Sequence, residues 1–160
     1  MSRDKIQSLE TLEARFRSKP MEREGLVLTN GLFDLLHVGH IRCLEGARAA
    51  GHRLIVALNS DASARRLKGL GRPLVPLEER LEVVAALECV SWATWFEEPN
   101  VEAVLRRLRP AVHAKGTDYT ESSVPERAVA RELGIRTVIV GDPKRHASSD
   151  LVAKIRQEGG

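Results

Sequence analysis

Five short apolar runs, separated by stretches whose apolar residues recur every three or four positions, leave few folds open to this chain. The runs are Gly25-Leu26-Val27-Leu28-Thr29, Arg53 to Asn59, Val90 to Phe96, Ala111-Val112-His113-Ala114 and Arg136 to Val140. Helical periodicity covers 38–50, 77–87, 101–108, 126–133 and 149–156, and residues 61–67 read as a short helix or a turn. Asn30-Gly31 stops the first run, Gly51 is placed to cap the helix before it, and Arg109-Pro110 closes another. Near-continuous apolar strands suit a parallel sheet covered on both faces. Strand and helix in strict alternation are the pattern of a doubly wound α/β fold, here a parallel five-stranded sheet with helices on both faces. Residues 4–19, with Ile6, Leu9, Leu12 and Phe16 in helical spacing, predict one further amphipathic helix ended by Lys19-Pro20. Residues 1–24 are read as an N-terminal helical extension that packs on the core or mediates dimerisation, and 25–160 as the main domain.

Such sheets bind ligands at the carboxyl ends of their strands. The loops expected there carry Asn30-Gly31, Asn59-Ser60-Asp61, Lys115-Gly116-Thr117-Asp118 and Gly141-Asp142. Polar chemistry therefore falls where the topology requires a pocket.

Composition removes several function classes. At 160 residues the chain fits one domain with a core of its own. No apolar run approaches the roughly 20 residues that span a bilayer, and the polar start Met1-Ser2-Arg3-Asp4-Lys5 is not a secretion segment. A cytosolic protein with no membrane partner is expected. Cys43 and Cys89 both fall in apolar helical patterns and read as buried thiols, with no ligand spacing that would hold a metal. The net charge of +3 is scattered, and aromatic residues make up only 4%. Nucleic-acid binders concentrate basic residues or interleave them with aromatics, so no nucleic-acid partner is expected.

The loop after the first strand, Thr29-Asn30-Gly31-Leu32-Phe33-Asp34-Leu35-Leu36-His37-Val38-Gly39-His40, holds the most specific chemistry. A glycine-containing turn that opens a helix presents backbone N–H groups and a helix dipole to an anion. The loop has neither GxGxxG nor GxxxxGK[ST], so it is not a dinucleotide fingerprint or a P-loop. It has His37 and His40 instead, three apart on the first helical turn, with side chains able to point the same way. Imidazoles so placed donate to phosphoryl oxygens and stabilise charge developing at phosphorus. Gly39 leaves room for a nucleotide against the backbone.

Gly31 to His40 resembles the GxFDxxHxGH motif of the cytidylyltransferase-like nucleotidyltransferase superfamily. The resemblance implies a Rossmann-like domain in which a substrate phosphate attacks the α-phosphate of a nucleoside triphosphate and pyrophosphate leaves. Further stretches resemble the adenylyltransferase domain of ADP-heptose synthases over roughly residues 25 to 157. They include Asn59-Ser60-Asp61-Ala62-Ser63, Arg66-Leu67-Lys68-Gly69, Arg72-Pro73-Leu74-Val75-Pro76-Leu77-Glu78-Glu79-Arg80 and Lys115-Gly116-Thr117-Asp118-Tyr119. That branch implies transfer of AMP from ATP to a heptose 1-phosphate, with Mg²⁺ accompanying the triphosphate. A homodimer is common in the superfamily; the family often fuses this domain to a sugar kinase, and with no kinase sequence in these 160 residues a separate kinase upstream is expected.

On this reading His37, His40 and Lys68 are the catalytic residues, with Lys68 swinging on a Gly-flanked loop over the triphosphate. Nucleotide contacts are expected from Asn30, Gly31, Leu32, Phe33, Asp34, Gly39, Asn59, Arg80, Lys115, Gly116, Asp118, Ser148 and Ser149. Arg80, opening a helix after Pro76, is either a fork bridging phosphates or an exposed helix arginine. Asn59 either contacts ligand or forms a turn. Ser148 and Ser149, expected just before the last helix, can contact phosphates, cap the helix, or both. The arginine that opens this last segment in many cytidylyltransferases is missing here, and Lys144 and Arg145 are the nearby candidates for its charge. Transfer to another phosphorylated acceptor, such as glycerol 3-phosphate, ethanolamine phosphate or a flavin mononucleotide, stays open. So does a nucleotide-binding module without turnover, although the intact histidine pair and Lys68 argue against it.

Overall fold

In the computed structural model, which describes residues 1–143 and 147–159, each apolar run becomes a strand of one sheet. The strands are β1 (Leu26–Gly31), β2 (Arg53–Asn59), β3 (Trp92–Phe96), β4 (Val112–Gly116) and β5 (Arg136–Val140). Their order is β3-β2-β1-β4-β5, and every pairing is parallel. The helices are α1 (Leu9–Ser18), α2 (Val38–Ala49), α3 (Asp61–Lys68), α4 (Leu77–Ala85), α5 (Glu102–Leu108), α6 (Arg127–Glu132) and α7 (Ser148–Glu158).

Alternation along the strands divides the core into two layers. Leu26 and Leu28 of β1, with Ile55 and Ala57 of β2, pack under α1, α5 and α6. Val27, with Leu54, Val56 and Leu58, packs under α2 and α4. The expected doubly wound architecture is therefore the observed one. Among the described residues no helix is long and apolar enough to cross a membrane.

The N-terminal segment differs from the single helix expected over 4–19. Ser2–Lys5 forms a 3₁₀ turn, and α1 starts only at Leu9 because the Ser8 hydroxyl caps it, accepting from the Thr11 amide. Between them Ile6 makes a parallel bridge to Ala93 of β3, and the Gln7 amide donates to the Ala93 carbonyl. Leu12 and Phe16 are buried in the α5 layer, each contributing about 1.5–3 kcal/mol by leaving water. The Phe16 ring meets Trp92 edge-on at 5.5 Å, and Arg107 of α5 pairs with Glu10 and Glu13 of α1.

Other boundaries shift for identifiable reasons. α4 stops at Ala85, so Cys89 lies in a turn and not in a helix as expected. Ser91 pulls the chain to the sheet there: its amide donates to the Leu54 carbonyl and its hydroxyl accepts from the Leu54 amide. Neither thiol is fully buried. β4 continues through Lys115 and Gly116, which pair with Ile139 and Val140, so both belong to the strand and not to the loop after it. α2 ends at Ala49 with Ala50 as its cap. Gly51 serves packing instead: a Cβ there would lie 2.2 Å from the Gly25 carbonyl oxygen.

Candidate active site

β1 and β4 are neighbours whose following helices, α2 and α6, leave to opposite faces of the sheet. Chain ends that diverge in this way open a crevice at the carboxyl edge. A cavity of about 830 Å³ occupies it. Of the residues expected to form the site, all but Arg80 line this cavity. Lys144 and Arg145 lie outside the described residues.

His37 is the N-cap of α2, and its Nδ1 accepts the Gly39 amide at 3.1 Å. His40, on the first turn, accepts the His37 amide through its own Nδ1 at 3.3 Å. An Nδ1 that accepts carries no hydrogen, so in both neutral rings the hydrogen sits on Nε2. The rings lie 4.1 Å apart between centroids. Gly39 has a local reason beyond room for a ligand: a Cβ there would come within 2.9 Å of the His37 ring and prevent it folding back on the Gly39 amide. Burial, and secondarily the neighbouring His37, lowers the His40 pKa from 6.5 to about 4. His40 is therefore a neutral hydrogen-bond donor at pH 7.

The first loop is held in shape by groups within the cavity wall. Phe33 takes a positive φ of 50°, turning the chain sharply and burying its ring 5.6 Å from that of His40. Asp34 accepts from the Leu74 and Val75 amides at 2.9 Å and from Arg72 Nε at 2.7 Å. Burial alone would raise the Asp34 carboxyl, but these three donors hold it below the usual carboxylate range. Asp34 thus fastens the 72–75 segment to the first loop.

Arg80 is a correction to the sequence reading. Its side chain is 0% exposed, so it is neither a phosphate fork nor a surface arginine. Its guanidinium donates to the carbonyls of Val75, Leu32 and Asn59 and to the Asp61 carboxylate. The first loop, the 72–75 segment and the end of β2 are joined through one buried cation. Nothing in the sequence distinguishes an arginine that turns inward at a helix start from one that turns outward.

Along the other wall, Asn30 Oδ1 lies 3.0 Å from His113 Nε2 and 3.5 Å from Lys115 Nζ. Burial lowers the Lys115 pKa, and its ammonium sits 4.6 Å over the Tyr119 ring. Glu126, also buried, accepts the Val101 amide and faces Lys115 electrostatically. Asn59 donates to the Ser63 hydroxyl. Lys68 is exposed at the mouth, next to Gly69 at φ +89° and near Gly71 at φ +90°. Ser148 and Ser149 are the first two residues of α7, not a segment before it, and Ala147 is the N-cap. The Ser148 hydroxyl donates to the Leu35 carbonyl and ties α7 to the first loop. Sequence reasoning did not single out His113, Arg72 or Glu126. His113 left one signal, a polar residue two before Lys115 in an apolar strand, which period-two alternation puts on the Lys115 face.

Among the described residues, no group of three or more His, Cys, Asp and Glu could hold a metal ion.

His40 and His113 give the fold a predictable acid sensitivity. Burial holds the His113 pKa at about 3, and both values lie below the ordinary 6.5. As pH falls past 6.5 the unfolded chain takes up protons that the folded chain refuses until about pH 4. Their contribution to stability is complete above pH 6.5 and declines from there toward pH 4. Urea midpoints should therefore fall between pH 7 and pH 5, and the H113L variant should show a shallower fall. A wild-type midpoint that rises over this range would contradict the assignment.

A family model described as cytidylyltransferase-like matches residues 28–155. The chain is 40% identical over 151 residues to the bifunctional protein HldE of Geobacter sulfurreducens, covering 94% of this chain and 31% of that protein. It is 40% identical over 154 residues to the bifunctional protein HldE of Pseudomonas aeruginosa, covering 96% and 32%. The chain thus spans about a third of the length of these relatives. Among solved structures, a lipopolysaccharide core biosynthesis protein from Thermoplasma volcanium superposes with a TM-score of 0.66 at 23% identity, over 76% of this chain and 99% of that one. Pantothenate synthetase from Thermus thermophilus superposes with a TM-score of 0.64 at 19% identity, over 96% and 70%. Both share the fold. The family match runs from within β1 to within α7 and takes in every strand of the sheet, so the chain belongs to the cytidylyltransferase-like family.

Proposed function

We propose that this chain transfers AMP from ATP to a sugar 1-phosphate, a heptose 1-phosphate, releasing pyrophosphate and giving a nucleotide-activated sugar. The observation that carries the chemistry is the histidine pair at the head of α2, where each Nδ1 accepts a backbone amide and each neutral ring therefore carries its hydrogen on Nε2. The similarity to HldE proteins supports the choice of acceptor.

An oxygen of the sugar phosphate attacks the α-phosphorus in line. The new P–O bond forms as the bond to the bridging oxygen of the β-phosphate breaks, and that oxygen leaves with the pyrophosphate. The nucleophile is already an anion, so no general base is required. Catalysis rests on positioning and on stabilising charge at phosphorus. His37 and His40 donate to the phosphoryl oxygens, the N-terminus of α2 adds its dipole, and Lys68 closes over the β- and γ-phosphates on its glycine-flanked loop. Lys115 supplies a second positive charge from the strand end.

Mg²⁺ bound with the triphosphate would neutralise part of its charge. Both Asp34 oxygens are already engaged, and the described residues offer no cage of their own, which fits an ion carried mainly by phosphates and water. The reading implies a cytosolic address, where ATP is available, a homodimer, and a kinase reaction that makes the sugar 1-phosphate.

A matrix of ATP, CTP and GTP against heptose 1-phosphate, glycerol 3-phosphate and ethanolamine phosphate, read by pyrophosphate release, tests it. ATP with the heptose phosphate is expected to give the highest kcat/KM. Preference for CTP with glycerol 3-phosphate would overturn the acceptor and the base together, and nucleotide binding without release in any pair would overturn turnover itself.

A further inference from the structure

β4 carries a histidine for which the proposed reaction has no stated use. His113 pairs in register with Leu28 of β1, so Asn30 and Lys115, two residues further along each strand, share its face of the sheet. The His113 side chain is fully buried, with Nε2 at 3.0 Å from Asn30 Oδ1 and Nδ1 buried without a partner among the described residues.

The protons in this trio are fixed by chemistry. A lysine ammonium can only donate, so the Asn30 atom facing Lys115 Nζ is the oxygen. That oxygen can only accept, so His113 Nε2 must carry the hydrogen. The leftover Nδ1 is then a bare lone pair, which a protein interior tolerates better than an orphaned N–H. Burial also keeps the ring from gaining a second proton, since its pKa is about 3. With Oδ1 held by two donors, the Asn30 carboxamide cannot flip. Its Nδ2 group has no acceptor among the described residues, and Asn30 lines the cavity beside Gly31 and Lys115.

We propose that His113 is a positioning residue: it locks the Asn30 carboxamide so that the Nδ2–H group faces the cavity as a donor to a phosphoryl oxygen of the substrate. An anionic oxygen is the fitting acceptor, because Asn30 and Lys115 both line the cavity and the Lys115 ammonium lies 3.5 Å from the Asn30 carboxamide oxygen. Without His113 the amide is held by Lys115 alone at 3.5 Å and can present its oxygen, which repels a phosphate. His113 itself touches no substrate.

The inference rests on the nucleotidyl-transfer reading for its assay but not for its geometry, and the test separates the two. Long-range ¹⁵N–¹H spectra of the histidine rings should show His113 as the Nε2–H tautomer. H113L keeps the buried volume and removes the donor; it should lower kcat roughly tenfold with KM for ATP changed much less. H113Q, whose amide can donate to the same oxygen, should recover most of the loss. In an N30A background H113L should have no further effect, because the histidine acts only through Asn30. An Nδ1–H tautomer, an H113L variant with wild-type kcat, or an undiminished H113L effect in the N30A background would each overturn the proposal. Should the wild type turn over none of the substrate pairs, the functional reading fails alone. The tautomer and the same double-mutant cycle on ATP Kd then decide the role of His113.

Discussion

Replacing His40 by alanine is expected to lower kcat by about 10² to 10³ while the fold survives. In the proposed mechanism the ring donates from Nε2 at the point where charge grows on the α-phosphate, and it is neutral at every pH above about 5 because its pKa is about 4. His40 should therefore contribute no acidic limb to the wild-type rate near pH 6.5, where an ordinary histidine would impose one. H40N, whose amide also donates, should recover part of the loss. Among the described residues the side chain's only hydrogen bond is the one it accepts from the His37 amide, so the melting temperature of H40A should move by a few degrees at most. Steady-state kinetics with pyrophosphate detection, alongside thermal unfolding, check both statements. An H40A enzyme with near-normal turnover would sink the proposed mechanism.

Arg80 predicts the opposite pattern, a large loss of stability. The guanidinium is wholly buried and makes four kinds of contact, to Val75, Leu32, Asn59 and Asp61. Truncation to alanine leaves three carbonyls and a half-buried carboxylate without their donor. Breaking a buried pair of this kind costs about 3–5 kcal/mol. For a domain of this size that corresponds to a fall in Tm of roughly 10 °C or more. R80K keeps the charge but not the fork, and should also melt well below the wild type. If Arg80 were instead a phosphate ligand, R80K would melt normally and lose ATP affinity. Differential scanning calorimetry and ATP titration of R80K distinguish these outcomes directly.

Most of the sheet was legible because its strands are buried on both faces and therefore nearly continuous in apolar residues. β2 and β5 have the bounds their apolar runs suggest, Arg53–Asn59 and Arg136–Val140. Boundaries moved where a tertiary partner competed with local pattern, as at Ile6, which bridges to Ala93 instead of extending α1. The cavity wall was legible in part for the same reason: loops after parallel strands gather at one edge, so His37, His40, Lys115 and Asp118 meet there. Direction was the hidden variable. Arg80 and Asp34 are polar residues close to the site, yet their side chains turn into the protein and brace the loops, a choice that depends on carbonyls and amides far away in sequence. His113 was hidden because an apolar strand masks a single polar residue whose partner lies more than eighty positions earlier.

The bridge between Ile6 and Ala93 also bears on how copies of this chain meet one another. β3 is an edge strand, and an edge with open amides and carbonyls invites a strand from a second molecule. The segment before α1 lies across this edge, with the Gln7 amide already on the Ala93 carbonyl and α1 packed beyond it. A foreign strand would first have to displace Ile6 and lift Leu12 and Phe16 out of the core. The N-terminal segment thus works as a guard against sheet-to-sheet polymerisation, leaving β5 as the edge where that protection must come from elsewhere.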